Sequence, residues 1–142
     1  MIWRKLHAWA AILWVVALIV QVFLAGQALA NLGGTGNFDT HIGVGFTIGI
    51  IQLVALVLAF AARMSRRDIG ISAGILGLYI VQTLLPGFRT DMPVVAALHP
   101  LNAMFLFVIS VWYARHAWRV AAAPEPMATP APPAADAAMK AG

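Results

Sequence analysis

Hydrophobic residues run in four long blocks along the chain, and no block contains Asp, Glu, Lys or Arg. The blocks are residues 6–38, 40–62, 69–88 and 92–114. A helix rises about 1.5 Å per residue, so roughly 20 residues cross the ~30 Å hydrocarbon core of a bilayer. The pattern predicts an all-α protein, namely a transmembrane antiparallel four-helix bundle. We expect its spans at about 8–30, 41–62, 70–86 and 93–116.

Composition agrees with a membrane protein. Of the 142 residues, 62% are hydrophobic and only 10% are charged, too few to cover a soluble domain of this size. This length accommodates one bundle over residues 1–119 and no second folded domain. Residues 120–142 are rich in Ala and Pro, which predicts a disordered cytoplasmic tail. The chain has no cysteine, which excludes disulfides and thiolate chemistry.

Charge asymmetry predicts the orientation. Eight of the nine basic residues flank the spans on one side, and only Arg89 lies on the other. The positive-inside rule makes the first side cytoplasmic, so we expect a multi-pass protein of the bacterial inner membrane with both termini inside. The basic residues do not form a patch interleaved with aromatic residues, so no nucleic-acid partner is expected.

A different interpretation of the N-terminus is a cleaved signal peptide. Arg4 and Lys5 precede an apolar run, and the small-residue sequence Ala28-Leu29-Ala30 follows it. The apolar stretch 8–25 is longer than an ordinary signal-peptide core, which favours an uncleaved span. Cleavage would leave three spans in the same orientation.

Polar residues inside the spans are the main clue to chemistry, because polarity in hydrocarbon is costly and is usually turned inward. Counted from the basic flanks, all four spans place a polar side chain in the outer half of the membrane. These residues are Gln21, Thr47, Gln82, Thr83, His99 and Asn102, with Gln27 and His41 nearer the surface. His41 shares a helical stripe with Gly45, and His99 shares one with Asn102. We therefore expect His41 and His99 to approach each other near the outer face.

Small residues recur at helical spacing in spans two and three. They are Gly45, Gly49, Gly70, Ala73, Gly74 and Gly77. Such residues allow close contact between membrane helices. An alternative is that some of them make room for a flat cofactor.

Three interpretations of His41 and His99 are open. Each could be a hydrogen-bonded interior histidine, with the Ala96 carbonyl, freed by Pro100, as one acceptor. They could be the metal ligands of a b-type haem, with Gln82, Asn102 and Thr47 orienting the rings or the propionates. They could also serve a proton relay or a quinone pocket.

Depth along the helices bears on the haem interpretation. Residue counts place His99 six residues deeper than His41, about 9 Å along straight helices, whereas two axial ligands should lie nearly level. A helix tilt of about 20° would absorb part of this offset.

His7 and His116 form a second candidate pair at the cytoplasmic ends of spans one and four. Interfacial histidines are also common in the aromatic belts of membrane proteins. The acids Asp39, Asp68 and Asp91 lie outside the predicted spans. No catalytic residue is predicted, and an enzyme is not favoured.

Several short motifs carry a resemblance to a known protein family. They are Phe23-Leu24-Ala25-Gly26, His41-Ile-Gly-Val-Gly45, Ala62-Arg63, Gln82 and Leu98-His99-Pro100-Leu101-Asn102. Over residues 8–116 the chain resembles a family of small, uncharacterised bacterial membrane proteins with four helices. That resemblance implies architecture and no reaction. More loosely, the chain is similar to four-helix haem proteins such as cytochrome b561-type proteins and each half of haem A synthase, a likeness at the level of fold.

The specific function expected from the sequence is b-type haem binding and electron transfer within the bundle, with no other cofactor. The alternative is a non-catalytic accessory or assembly subunit of a membrane complex. Transport is a third class, but four spans could form a pathway only as an oligomer. The expected partners are the lipid bilayer and a membrane complex or redox partner.

Overall fold

The computed structural model describes residues 2–29 and 38–124, and most of these residues are helical. The helices are α1 (Ile2–Leu29), α2 (Asp39–Ala61), α3 (Arg66–Leu84), α4 (Pro93–Ala96) and α5 (Leu98–Ala122), with a 3₁₀ turn at Leu85–Arg89. The described part of the chain contains no strand. The predicted all-α fold is confirmed, whereas the predicted disorder of the tail falls mainly on residues 125–142, outside the described ranges.

Four helical segments are long and apolar enough to cross a membrane. They are Ile2–Leu29, Asp39–Ala61, Arg66–Arg89 and Pro93–Ala122. Helix α1 packs against α2 and α5, and α3 completes the ring by packing against the same two helices. Large apolar side chains such as Phe23 and Phe105 point outward and are about two-thirds exposed, at 66% and 64%. In water such a surface would drive aggregation, so these features indicate a multi-pass membrane protein.

The centre of the bundle is filled by Trp14 from α1, Ile48 from α2, Ile75 from α3 and Leu106 from α5. One buried cluster between α1 and α5 consists of four alanines, namely Ala8, Ala11, Ala114 and Ala117. Small side chains let two helix backbones approach closely, which favours association when lipid provides no hydrophobic drive.

The sequence predicted that the glycines of both α2 and α3 lie at contacts between helices. In the structure, the two sets of glycines have different surroundings. On α2, Gly45 faces the Gln21 amide and Gly49 lies against the Tyr79 ring. On α3, a Cβ added at Gly70, Gly74 or Gly77 would meet no atom within 4 Å. Gly45 and Gly49 therefore serve packing inside the bundle. Those of α3 lie on its exposed face, because the buried stripe of that helix runs through Asp68, Ser72 and Ile75.

The turn between α2 and α3 is closed by helix caps at both sides. Arg63 has a left-handed backbone (φ 51°), its N–H donates to Phe60 O, and the Met64 N–H donates to Ala59 O. This is the Schellman pattern, with arginine where glycine is usual. Ser65 then caps α3 by accepting the Asp68 N–H at 3.1 Å and donating to the Asp68 carboxylate at 2.7 Å.

The fourth span is interrupted at Ala97, between α4 and α5. Pro100 has no N–H to offer the Ala96 carbonyl four residues earlier, and this is a regular cause of helix breaks. At the end of the third span, the α-helix stops at Leu84 and Pro86 lies in the 3₁₀ turn that follows. These two irregular segments shape the end of the bundle that carries His41 and His99.

Candidate cofactor site

His41 and His99 meet at the distal end of the bundle, which is the end away from the turn at Arg63. Each lies in the first turn of its helix, α2 or α5, and these two helices are diagonal neighbours in the ring. The ring centroids are 6.4 Å apart and the rings are inclined by 78°. The 9 Å offset derived from residue counts is wrong, because the depth of His99 was counted from Arg115, the first basic residue after the fourth span, whereas α5 continues to Ala122.

Both rings are held by the same kind of hydrogen bond. Nδ1 of His41 lies 3.1 Å from the backbone oxygen of Gln21, and Nδ1 of His99 lies 3.0 Å from that of Gln82. A carbonyl oxygen can only accept, so in each ring Nδ1 carries the hydrogen and donates it. The neutral ring then has its lone pair on Nε2. Metal-binding histidines usually have this arrangement, with the second nitrogen tied to a carbonyl or carboxylate.

Gln82 lies beside His99, and Asn102 bonds Gln82. The Gln82 amide nitrogen lies 3.2 Å from His99 Nε2 and can donate to it. Asn102 donates to the Gln82 side-chain oxygen at 2.8 Å and to the Leu78 backbone oxygen at 3.0 Å. Asn102 therefore fixes the side-chain oxygen of Gln82, and the amide nitrogen of Gln82 is directed at His99.

Gln21 plays the corresponding part beside His41, and the sequence did not assign it to the site. Its amide nitrogen donates to the His41 backbone oxygen at 3.2 Å, while its side-chain oxygen is buried without a partner among the described residues. Its position in the polar layer was visible from the sequence. Its contact with His41 depends on how α1 and α2 pack.

Thr47 is not brought to the histidines, contrary to the expectation that it orients them. Its side chain is exposed and donates to the Gly43 backbone oxygen of its own helix at 2.9 Å. Six residues after His41 it points to another face of α2, and a mid-helix threonine readily bonds the carbonyl four residues earlier. The proposed Ala96 acceptor is also not used by His99, because Nδ1 of that ring donates to Gln82.

A second polar cluster lies at the basic end of the bundle, and we call its members His7, Asp68, Tyr113 and His116 the His7 cluster. His7 is fully buried, with Nδ1 2.9 Å from the Ala55 backbone oxygen and Nε2 3.1 Å from the Tyr113 hydroxyl. That hydroxyl lies 3.0 Å from the Asp68 backbone oxygen, and His116 Nε2 lies 2.9 Å from the Asp68 carboxylate. His7 and His116 are thus connected through Tyr113 and Asp68.

Asp68 lies before the predicted third span, yet its side chain is buried in the bundle. It is 8% exposed, at the first turn of α3, because the Ser65 cap starts that helix earlier than the apolar block does. The pattern Ser65-Arg-Arg-Asp68, with a capping residue three positions before an acid, was the available signal.

Comparison with known proteins finds a match to one family, whose function is unknown. Residues 21–89, which are 69 of the 142 residues, match the model of DUF6220, described as a family of unknown function. The match includes His41 and Gln82 and stops before His99 and Asn102. No curated protein matches the chain. No solved structure matches it. The likeness to an uncharacterised family agrees with the sequence analysis, and no likeness to a haem protein is found.

Proposed function

We propose that the protein binds a b-type haem at the distal end of the bundle and transfers electrons, with His41 and His99 as the axial ligands. One observation carries the proposal. Two histidines from diagonal helices bring their ring centroids within 6.4 Å of each other, and each holds its Nδ1 hydrogen on a backbone carbonyl, which leaves Nε2 as the lone-pair nitrogen. A bound haem would supply one-electron chemistry, which these residues cannot supply themselves.

The separation of the rings fits two ligands of one metal. A metal–imidazole nitrogen distance is about 2.0 Å, and the ring centre lies about 1 Å beyond the nitrogen, so two axial rings have centres roughly 6 Å apart. The observed distance is 6.4 Å. This separation supports the assignment of the two rings to one metal ion. One contact must be given up, since the Gln82 amide now occupies the lone pair of His99 Nε2.

The surroundings would tune the ligands. A carbonyl that accepts the Nδ1 hydrogen raises the basicity of the other nitrogen and fixes the ring plane. Gln21 and Gln82 provide these carbonyls from α1 and α3, so all four packed helices contribute to the site. The basic flanks support a bacterial inner-membrane location with the termini in the cytoplasm, which would put this site toward the outer face.

The test is haem titration of the purified protein in detergent, followed by reduced-minus-oxidised spectra. We expect one haem per chain with Soret and α bands typical of two histidine ligands. His41→Ala and His99→Ala should each lose those bands or bind at least 10-fold more weakly. Thr47→Ala is the matched control, because its side chain is exposed on α2 and should leave the spectrum unchanged. Absence of bands, or full binding by both histidine variants, would refute the proposal.

The alternative, an accessory subunit of a membrane complex, is favoured by the exposed glycine face of α3. A transmembrane helix of another subunit could approach this face closely at Gly70, Gly74 and Gly77, which no other helix within residues 2–29 and 38–124 covers. Gly74→Leu should then reduce co-purification of a membrane partner, whereas His41→Ala should not. Unchanged association in Gly74→Leu would count against this alternative.

A further inference from the structure

The His7 cluster contains a chain of three short polar contacts that begins and ends on backbone carbonyls. Ala55 O lies 2.9 Å from His7 Nδ1, His7 Nε2 lies 3.1 Å from the Tyr113 hydroxyl, and that hydroxyl lies 3.0 Å from Asp68 O. His7 is 0% exposed and Tyr113 is 2% exposed. Water therefore does not complete these bonds from outside. The Ser72 side chain is a further partner of Tyr113, but the hydrogens within the three contacts must come from His7 and Tyr113.

Counting hydrogens shows that neutral side chains cannot complete the chain. Three contacts need three hydrogens, both terminal carbonyls only accept, a neutral imidazole has one N–H, and a tyrosine has one O–H. Any neutral tautomer thus leaves two acceptors facing each other at about 3 Å, and a buried polar group without its hydrogen bond is destabilising. An imidazolium has two N–H groups. It donates to Ala55 O and to the Tyr113 oxygen, and Tyr113 then donates to Asp68 O.

We propose that His7 is a buried proton-binding site, in which the imidazolium is held by this chain of acceptors. The same count leaves His99 neutral, because its second nitrogen faces an amide donor, that of Gln82. The difference between the two histidines lies in what faces Nε2. At His7 this is a hydroxyl that already has an acceptor.

The charged groups around His7 are unevenly distributed. Helix α2 presents the uncharged Ala55 carbonyl. Helix α3 presents Asp68, whose negative charge favours the imidazolium, and α5 presents Tyr113 with His116 behind it. Arg4 and Lys5 lie within one turn on α1 and oppose the charge, as does burial itself. The hydrogen-bond chain and Asp68 must outweigh these opposing effects.

A cleft gives this site a route to water at the basic end. It has a volume of about 260 Å³ and is lined by Asp68 and His116 together with Arg67. The His116 side chain is 32% exposed and that of Asp68 is 12% exposed. Water in the cleft can therefore reach His116 and the Asp68 carboxylate, and the Asp68 backbone oxygen accepts from the Tyr113 hydroxyl beside His7.

The test is solid-state NMR of the full chain, labelled with ¹⁵N and ¹³C and reconstituted in lipid bilayers at pH 8.5. Free histidine is neutral there, about two units above its ordinary value near 6.5. The His7 ring is assigned through its correlations to the backbone of Ala8. We expect both ring nitrogens of His7 to show the shifts and N–H couplings of an imidazolium. A ring nitrogen of His7 without a proton would overturn the proposal.

Tyrosine variants provide a second, independent arm. Tyr113→Phe removes the oxygen that accepts from Nε2, so His7 should become neutral at the same pH. Tyr79→Phe is the matched control, because the hydroxyl of Tyr79 bonds Gly45 O near the middle of α2 and should leave His7 charged. Retention of the imidazolium in Tyr113→Phe would contradict the hydrogen count. If that variant does not fold, the measurement on the unmodified chain decides alone.

Discussion

Replacement of Gly49 by alanine tests whether the glycines of α2 serve the packing of this bundle. A Cβ at Gly49 would lie 2.5 Å from both Cζ and the hydroxyl oxygen of Tyr79, well inside van der Waals contact. The Tyr79 ring cannot simply swing away, because it packs edge-on against Trp14 at 5.4 Å and its hydroxyl donates to Gly45 O at 2.8 Å.

Three terms set the size of the effect. Overpacking a filled interior costs about 2 kcal/mol. Displacement of Tyr79 would lose a hydrogen bond with a net value of about 1 kcal/mol. Alanine has a higher helix propensity than glycine, which stabilises the folded state by about 1 kcal/mol. The free energy of unfolding should therefore fall by about 2 kcal/mol, taking these values together.

The measurement is unfolding in mixed micelles by titration with a denaturing detergent, followed by circular dichroism and Trp fluorescence. Gly43→Ala is the matched control on the same helix, because nothing lies within 4 Å of its added Cβ. It should show only the propensity gain, so the two variants should differ by about 3 kcal/mol. Equal stability of the two variants would show that Tyr79 does not occupy the space at Gly49.

Two further predictions concern stability. Arg63→Gly should raise the free energy of unfolding by about 1 kcal/mol, because glycine adopts the left-handed backbone at φ 51° without a Cβ penalty; a loss of stability in the same titration would contradict the cap. Trp14→Phe should cost about 2 kcal/mol, because it removes the 3.0 Å donor to the Ser110 hydroxyl, which is 2% exposed. Adding Ser110→Ala should recover part of that loss, and strictly additive effects would argue against the bond.

The sequence was sufficient to predict the fold because the blocks without charge are longer than a bilayer requires. It also indicated that His41 and His99 would meet, because polar side chains at helical spacing share a face. Depth was harder to judge. The depth of His99 was counted from Arg115, but α5 continues to Ala122, so Arg115 does not mark the inner end of that helix.

The details that the sequence missed depend on which helices become neighbours. No local sequence pattern predicts that the Tyr113 hydroxyl lies between His7 and the Asp68 backbone, because these three residues come from three different helices. The inward position of Asp68 follows from the cap at Ser65, and a hydropathy pattern does not detect such caps. Thr47 was assigned to the site by depth alone, although its place on the helix circumference turns it outward.

The measurement that most directly tests the central claim is electron paramagnetic resonance of the oxidised, haem-loaded protein. His41 and His99 as joint ligands would give a six-coordinate low-spin signal. Because the rings are inclined by 78°, that signal should have the strong anisotropy typical of nearly perpendicular axial imidazoles. A high-spin signal, or a low-spin signal that persists in both His41→Ala and His99→Ala, would contradict the assignment of these two residues.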